Sequence, residues 1–142
     1  MKPEASFSAR VRKGLAGLDI DRIENRVNLG ISDMLVGAGR RFAMMELKVV
    51  QGYAVGLRPH QIAFLTHHAR AGRPCFILIL WKASGPRPDM ICLYRGLDAI
   101  ALDDHGMRIA PLASWPSHGM PWAELEKKII SESACYPWMD RL

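Results

Sequence analysis

The segment Pro74–Trp81 constrains the fold most, because after the proline it reads Cys-Phe-Ile-Leu-Ile-Leu-Trp with no alternation of apolar and polar residues. Such a run predicts a central strand whose two faces are both covered. It follows a strand pattern over Arg41–Val50 and a helix pattern from Pro59 to Ala71. A strand, a helix and a strand in this order predict a right-handed crossover that places the two strands in parallel.

The part of the chain before Arg41 predicts a helix and two more strands. Phe7, Val11 and Leu15 are spaced for one helical face within residues 3–16. Residues 20–27 and 31–36 then predict strands that form an antiparallel meander with the strand at Arg41–Val50. The turns are expected at 28–30 and 37–40, where glycine and asparagine are concentrated. After the central strand, a fifth strand is expected near Met90–Tyr94 and a helix over Trp122–Ile130.

Length and composition indicate a single α/β domain over residues 1–142, with a core at about 3–95 and a C-terminal extension at about 96–142. The chain has 142 residues, of which 49% are hydrophobic, enough for one core of ordinary size. It contains no run of 18 apolar residues and no signal-peptide pattern, so we expect a cytoplasmic protein without a membrane partner. Cys75, Cys92 and Cys135 are expected to be reduced thiols.

The basic residues are concentrated in the first half of the chain. Residues 1–73 carry 12 Lys and Arg against 6 Asp and Glu, whereas residues 74–142 carry 7 against 8. A basic surface around acidic residues suits a polyanion that is held by its phosphates. A basic protein that is merely soluble has the same composition, and charge alone does not separate the two.

Glu46 and Lys48 are charged residues inside an otherwise apolar strand. Side chains alternate along a strand, so both point to one face about 6.6 Å apart, while Met45, Leu47 and Val49 fill the opposite face. A hairpin with the preceding strand would bring Asp33 beside them. Two carboxylates and the Leu47 carbonyl oxygen could bind Mg²⁺, and Lys48 could orient a water for attack on a phosphodiester. The alternative is a structural Glu46–Lys48 ion pair.

The motif order resembles the PD-(D/E)xK nuclease superfamily, and within it small phage-type Holliday junction resolvases and the related virus-type replication-repair nuclease (VRR-NUC) domains. The resemblance covers about residues 3–82. It depends on these segments: Glu4 in the first helix, Arg22-Ile23-Glu24-Asn25, Gly30-Ile31-Ser32-Asp33, Glu46-Leu47-Lys48 and Pro59-His60-Gln61.

The resemblance implies a restriction-endonuclease-like α/β fold and a site with assigned roles. Asp33 and Glu46 would be metal ligands, Lys48 the catalytic lysine, Glu4 the acid of the first helix and Gln61 an active-site residue of the second helix. Ser32 replaces the usual proline and Arg58 a usual capping serine. Glu4 is also explained as an acid at a helix N-terminus. Glu24 could extend the metal site or pair with a neighbouring arginine.

The implied activity is a Mg²⁺-dependent endodeoxyribonuclease, with Mn²⁺ substituting and no organic cofactor, that cleaves branched DNA and resolves Holliday junctions in recombination or repair. A homodimer and a bacterial or phage-infected cell are implied with it. The tryptophans after residue 96 could pack on the sheet or form that dimer interface. Nucleases of flaps, nicks or ends, and a non-catalytic DNA-binding module, remain alternatives. The expected phosphate contacts are Arg10, Arg12, Lys13, Arg40, Arg41, Arg58, His60, Arg70 and Arg73.

Overall fold

The computed structural model describes residues 2–23 and 32–133. Within these residues, six strands form one sheet in the order β1-β2-β3-β4-β5-β6. The strands are β1 (Asp19–Arg22), β2 (Met34–Ala38), β3 (Arg41–Gln51), β4 (Cys75–Lys82), β5 (Met90–Arg95) and β6 (Ala113–Pro116). The helices are α1 (Pro3–Gly14), α2 (Pro59–Arg70), α3 (Ala99–His105) and α4 (Trp122–Glu132).

The described residues form the predicted restriction-endonuclease-like α/β core. Helix α1 is followed by the antiparallel strands β1, β2 and β3, and α2 then connects β3 to the parallel strand β4. All other neighbouring strands pair antiparallel. Residues Cys75–Ile79 of β4 are buried, so the apolar run is the central strand that its composition predicted.

Each face of the sheet packs against helices, which gives two separate cores. Helices α1 and α4 cover the first face, where Phe7 and Ile129 pack against residues such as Met45 and Leu47 of β3. Helices α2 and α3 cover the second face, where the fully buried Leu65 packs with Ile77 and Ile79. Burying a side chain of this size contributes about 1.5–3 kcal/mol relative to leaving it exposed. The two faces therefore hold α1 and α2 on opposite sides of β3.

Two boundaries in the first half differ from the sequence prediction. Strand β2 begins at Met34 rather than Ile31, because Asp33 uses its side chain as well as its backbone to bond to neighbouring segments. Strand β1 covers Asp19–Arg22, and the predicted remainder of that strand, Glu24 and the turn at 28–30 lie outside the described residues. The β2–β3 hairpin turns at Gly39, whose φ of 58° favours glycine.

The region after residue 96 contains more regular structure than its sequence pattern indicated. Strand β6 and α3 were not predicted, whereas α4 confirms the predicted helix at 122–130. Trp115 and Trp122 pack against the first core. This part of the chain therefore covers the sheet, while Trp138 and Cys135 lie outside the described residues.

Cys75 and Cys92 are buried free thiols, as expected, and burial raises the pKa of each to about 11. Within residues 2–23 and 32–133, every helix is too short or too polar to span a lipid bilayer.

Candidate active site

Strand β3 presents Glu46 and Lys48 on the second face of the sheet, as the alternation predicted. Both residues are buried, with exposed fractions of 2% and 7%. Met45 and Leu47 point into the first core on the other side. Removing a charged group from water is costly unless it is paired, so the surroundings of these two side chains decide what they do.

Asp33 lies beside Glu46, as the predicted hairpin required. The last residues paired between β2 and β3 are Met34 and Met45, so Asp33 is the next position along and stands opposite Glu46. One oxygen of its carboxylate, Oδ2, accepts a hydrogen bond from the backbone N–H of Leu47 at 2.8 Å. The N–H of Ile23 donates to the Asp33 carbonyl at 2.8 Å. Asp33 is therefore held both by the residue that follows β1 and by β3.

Burial and the neighbouring Asp33 carboxylate both change the acidity of Glu46. Burial, followed by the negative charge of Asp33 and a hydrogen bond to it, raises the pKa of Glu46 to about 9, although the charge of Lys48 acts in the opposite direction. Without a cation, these surroundings therefore favour the protonated form of Glu46. A divalent cation at this position would displace that proton.

Gln61 reaches the pair from the first turn of α2. Its side-chain Nε2 donates to Glu46 Oε1 at 2.7 Å, and its Oε1 accepts from the backbone N–H of Arg58 at 2.9 Å. The second bond fixes which way the amide faces, so the N–H group is directed at Glu46. Gln61 holds one Glu46 oxygen in place, which is a positioning role.

Glu4 approaches from the N-terminal end of α1. Its Oε1 lies 4.0 Å from Lys48 Nζ, the outer limit for an ion pair, and its side chain is 56% exposed. The five side chains predicted for the site are thus brought together from four segments that are distant in sequence: Glu4, Asp33, Glu46, Lys48 and Gln61.

The donors at this position fit a magnesium ion that keeps part of its water shell. No group of three or more His, Cys, Asp or Glu side chains among the described residues is arranged to hold a metal. Mg²⁺, however, needs only one or two carboxylates, with waters and substrate oxygens completing six ligands. The N–H and C=O of one strand residue point to the same edge. Because the Leu47 N–H points to the edge of β3 where Asp33 lies, the Leu47 carbonyl points to the same edge.

The residues expected to contact phosphate do not form one surface. Arg10 donates to Ser117 Oγ at 2.6 Å and lies over the Trp122 ring, while Arg41 donates to the Ser133 carbonyl at 2.8 Å after α4. Arg58 is the N-cap residue of α2 and His60 lies in the first turn of that helix, near Gln61. The others lie toward the end of α1, the hairpin turn and the end of α2, away from the active-site ends of those elements: Arg12, Lys13, Arg40, Arg70 and Arg73.

A second set of basic residues lies beside the site and was not predicted to contact phosphate. Lys2, Arg22 and Lys82 line a cavity of about 680 Å³ together with Glu4, Asp33 and Val49, and the side chain of Val49 belongs to the first face of the sheet. Lys82 reaches the cavity because it pairs with Gln51 at the end of β3. Only the parallel register of β3 and β4 reveals this proximity, and no local sequence signal indicates it.

The fold and this motif order agree with the resemblance to the PD-(D/E)xK nucleases found in the sequence. No protein-family model and no curated protein match the chain. Among solved structures, it is similar to Hjc, a Holliday junction resolvase from the archaeal hyperthermophile Archaeoglobus fulgidus. The identity is 16%, the match covers 65% of this chain and 74% of that chain, and the TM-score is 0.44. At this level of similarity, functional conclusions depend on the site residues themselves.

Proposed function

We propose that this protein is a Mg²⁺-dependent endodeoxyribonuclease that cleaves branched DNA, with four-way junctions as its main substrate. The observation that carries the proposal is the hydrogen bond from the Leu47 N–H to Asp33. It holds the Asp33 carboxylate beside Glu46, the Leu47 carbonyl and the Lys48 ammonium. This set supplies acceptors for a metal and a cation for a phosphate. Four-way junctions are proposed from the sequence resemblance.

Each side chain has a distinct task in the proposed reaction. Asp33 and Glu46, with the Leu47 carbonyl, would hold the metal, which when bound lowers the pKa of water and neutralises charge on the phosphate. Lys48 would orient the attacking water and stabilise negative charge on the phosphoryl oxygens. Gln61 keeps Glu46 in its position for metal binding. Glu4 adds a second negative charge near the Lys48 ammonium.

The proposed enzyme reads DNA shape rather than base sequence. Contacts to phosphates position a protein on DNA, whereas contacts to base edges specify sequence. The charged side chains around the site, including Lys2, Arg22 and Lys82, are suited to phosphate contacts. Symmetric cleavage of a four-way junction needs two active sites in a fixed relation, so the proposal includes a homodimer.

The test compares cleavage of a synthetic four-way junction with cleavage of linear duplex, flap and single-stranded DNA, in Mg²⁺ or EDTA. Paired symmetric nicks on the junction that disappear in EDTA and in Glu46→Gln support the proposal. The matched control is Asp19→Asn, which removes an exposed carboxylate of β1. Tight junction binding without cleavage in Mg²⁺ or Mn²⁺ would instead indicate a binding module, and preferential cutting of flaps would indicate the other substrate class.

A further inference from the structure

Four side chains form a continuous stack beyond the end of the active-site strand. Arg108 lies 5.1 Å from the Tyr53 ring centre, Tyr53 packs edge-on against Trp81 at 5.7 Å, and Arg87 lies 3.7 Å from the Trp81 ring centre. The stack thus consists of two neighbouring aromatic rings with one arginine at each end. Its members come from four segments: the loop after β3, the end of β4, the β4–β5 turn and the 3₁₀ turn Gly106–Arg108.

Tyr53 is exposed although its backbone is firmly held. Tyr53 is 53% exposed, whereas most large apolar residues in the described part of the chain are at least partly buried. The Tyr53 carbonyl accepts from the Met107 N–H at 2.8 Å, and the neighbouring Gly52 carbonyl accepts from the Trp81 indole N–H at 2.6 Å. A Cβ at Gly106 would lie 2.0 Å from the Tyr53 carbonyl oxygen, so this close contact requires glycine.

A loop anchored in this way presents an aromatic ring to solvent. Its backbone is already ordered, so binding a ligand costs little further conformational entropy of the loop. Preorganised contacts of this kind bind more tightly because the ordering cost has already been met during folding. Tyr53 is therefore an exposed aromatic ring on a fixed backbone, as a preorganised stacking surface requires.

The stack lies on the same side of the sheet as the proposed catalytic residues. Trp81 pairs with Val50, which shares a face with Glu46 and Lys48 by strand alternation. Trp81 is two positions along and one strand across from Lys48, about 8 Å in backbone distance.

We propose that Tyr53 and the flanking Arg108 form a binding site for unpaired nucleotides of DNA, close to the catalytic residues. Arg87 supports this site through Trp81, because its guanidinium is held by the carbonyls of Lys82 and Pro88. The proposal deepens the proposed nuclease function, on which it rests. Aromatic rings bind bases of any sequence because every base has a flat π-face, and arginines beside them bind the phosphates. Unpaired or readily unstacked nucleotides at a branch point would be held here, while fully stacked duplex DNA would not.

The test measures binding of a fluorescein-labelled 12-nucleotide oligo-dT, and of a blunt duplex of equal length, to the full chain in EDTA. Tyr53→Ala and Tyr53→Leu are expected to weaken oligo-dT binding about 5- to 100-fold, and duplex binding less than twofold. Tyr53→Phe keeps the ring and is expected to bind as wild type. Arg108→Gln is expected to weaken binding and to reduce the salt dependence by about one phosphate contact.

Leu97→Ala is the matched control, because Leu97 is also exposed and apolar but follows β5 at the opposite end of the sheet. Thermal unfolding of Tyr53→Leu and Tyr53→Phe checks that the loop is intact. Wild-type protein that does not bind oligo-dT, a Tyr53→Ala variant that binds it within twofold of wild type, or equal losses on oligo-dT and duplex would overturn the proposal. The assay contains no metal, so oligo-dT binding that depends on Tyr53 in a protein that cleaves nothing would contradict only the nuclease function.

Discussion

The carboxylate of Asp33 accepts a hydrogen bond from the backbone N–H of Leu47 at 2.8 Å, in the place where the next ladder bond between β2 and β3 would otherwise form. The two strands thus exchange a backbone pair for a side-chain contact at the point where they separate. The side-chain hydrogen bond places the Asp33 carboxylate next to the buried Glu46, so two acidic groups lie side by side in the site.

Replacing Asp33 should separate DNA binding from cleavage. Asp33→Asn keeps an oxygen that can accept from Leu47 but removes the charge that would hold a metal. We expect junction cleavage to fall about 100-fold or more, as for loss of one strongly stabilising electrostatic group, and junction affinity to change little. Gel-shift and single-turnover cleavage assays measure both, with Asp19→Asn as the control. Cleavage near the wild-type rate would show that Asp33 is not a ligand.

The stability of the metal-free protein should fall as pH rises from about 4.5 to about 9. The folded state keeps a proton on Glu46 over this range because its pKa is raised to about 9, whereas the unfolded chain loses that proton near the ordinary value of 4.5. The stabilisation is complete below pH 4.5 and is lost as the pH rises through 9. Glu46→Gln should flatten this dependence and raise the free energy of unfolding at pH 8 by about 1 kcal/mol or more.

Urea unfolding in EDTA at several pH values measures this effect. Glu126→Gln, on α4 away from the site, controls for the change of side chain. An unchanged pH dependence in Glu46→Gln would mean that another group carries the proton.

Gln61 should act through Glu46 rather than by capping α2. Gln61→Glu keeps an acceptor for the Arg58 N–H but loses the donor to Glu46, whereas Gln61→Ala loses both. We expect each variant to lower metal affinity or cleavage about 10- to 100-fold. Titration with Mn²⁺ and initial cleavage rates measure this. Wild-type behaviour of Gln61→Glu, with a defect only in Gln61→Ala, would indicate a purely structural cap.

Arg10 should contribute to stability more than to DNA binding. Its guanidinium bonds Ser117 and lies over the Trp122 ring, so Arg10→Ala leaves these groups without their cation. We expect a loss of about 1–2 kcal/mol in the free energy of unfolding. The exposed Arg12 on the same helix is the control. Unchanged stability of Arg10→Ala, combined with weaker junction binding, would indicate that Arg10 contacts DNA.

The basic residues of the cavity should contact DNA more than those at the far ends of the helices. Lys82→Gln is expected to reduce the slope of log affinity against log salt by about one contact, whereas Arg12→Gln should leave it unchanged. Fluorescence anisotropy with junction DNA at several salt concentrations measures these slopes. The reverse ranking would place the DNA across α1 instead of the cavity that Lys82 lines.

The sequence by itself determined the core and most of the proposed site. Local patterns were sufficient because period-two alternation sets the face of Glu46 and Lys48, and an unbroken apolar run marks β4 as central. The short hairpin then brings Asp33 opposite Glu46, since two antiparallel strands joined by a tight turn have a defined register. The resemblance added Glu4 and Gln61, which have no local pattern of their own.

Only the tertiary structure decided which basic and aromatic residues surround the site. Lys82 and Trp81 approach the active-site strand through the parallel register of β3 and β4, and Arg108 reaches Tyr53 through the Gly106 turn. Arg10 instead donates to Ser117, which is 107 positions further along the chain. Contacts between segments so far apart depend on how the layers pack, and the local periodicity of a sequence carries no information about that packing.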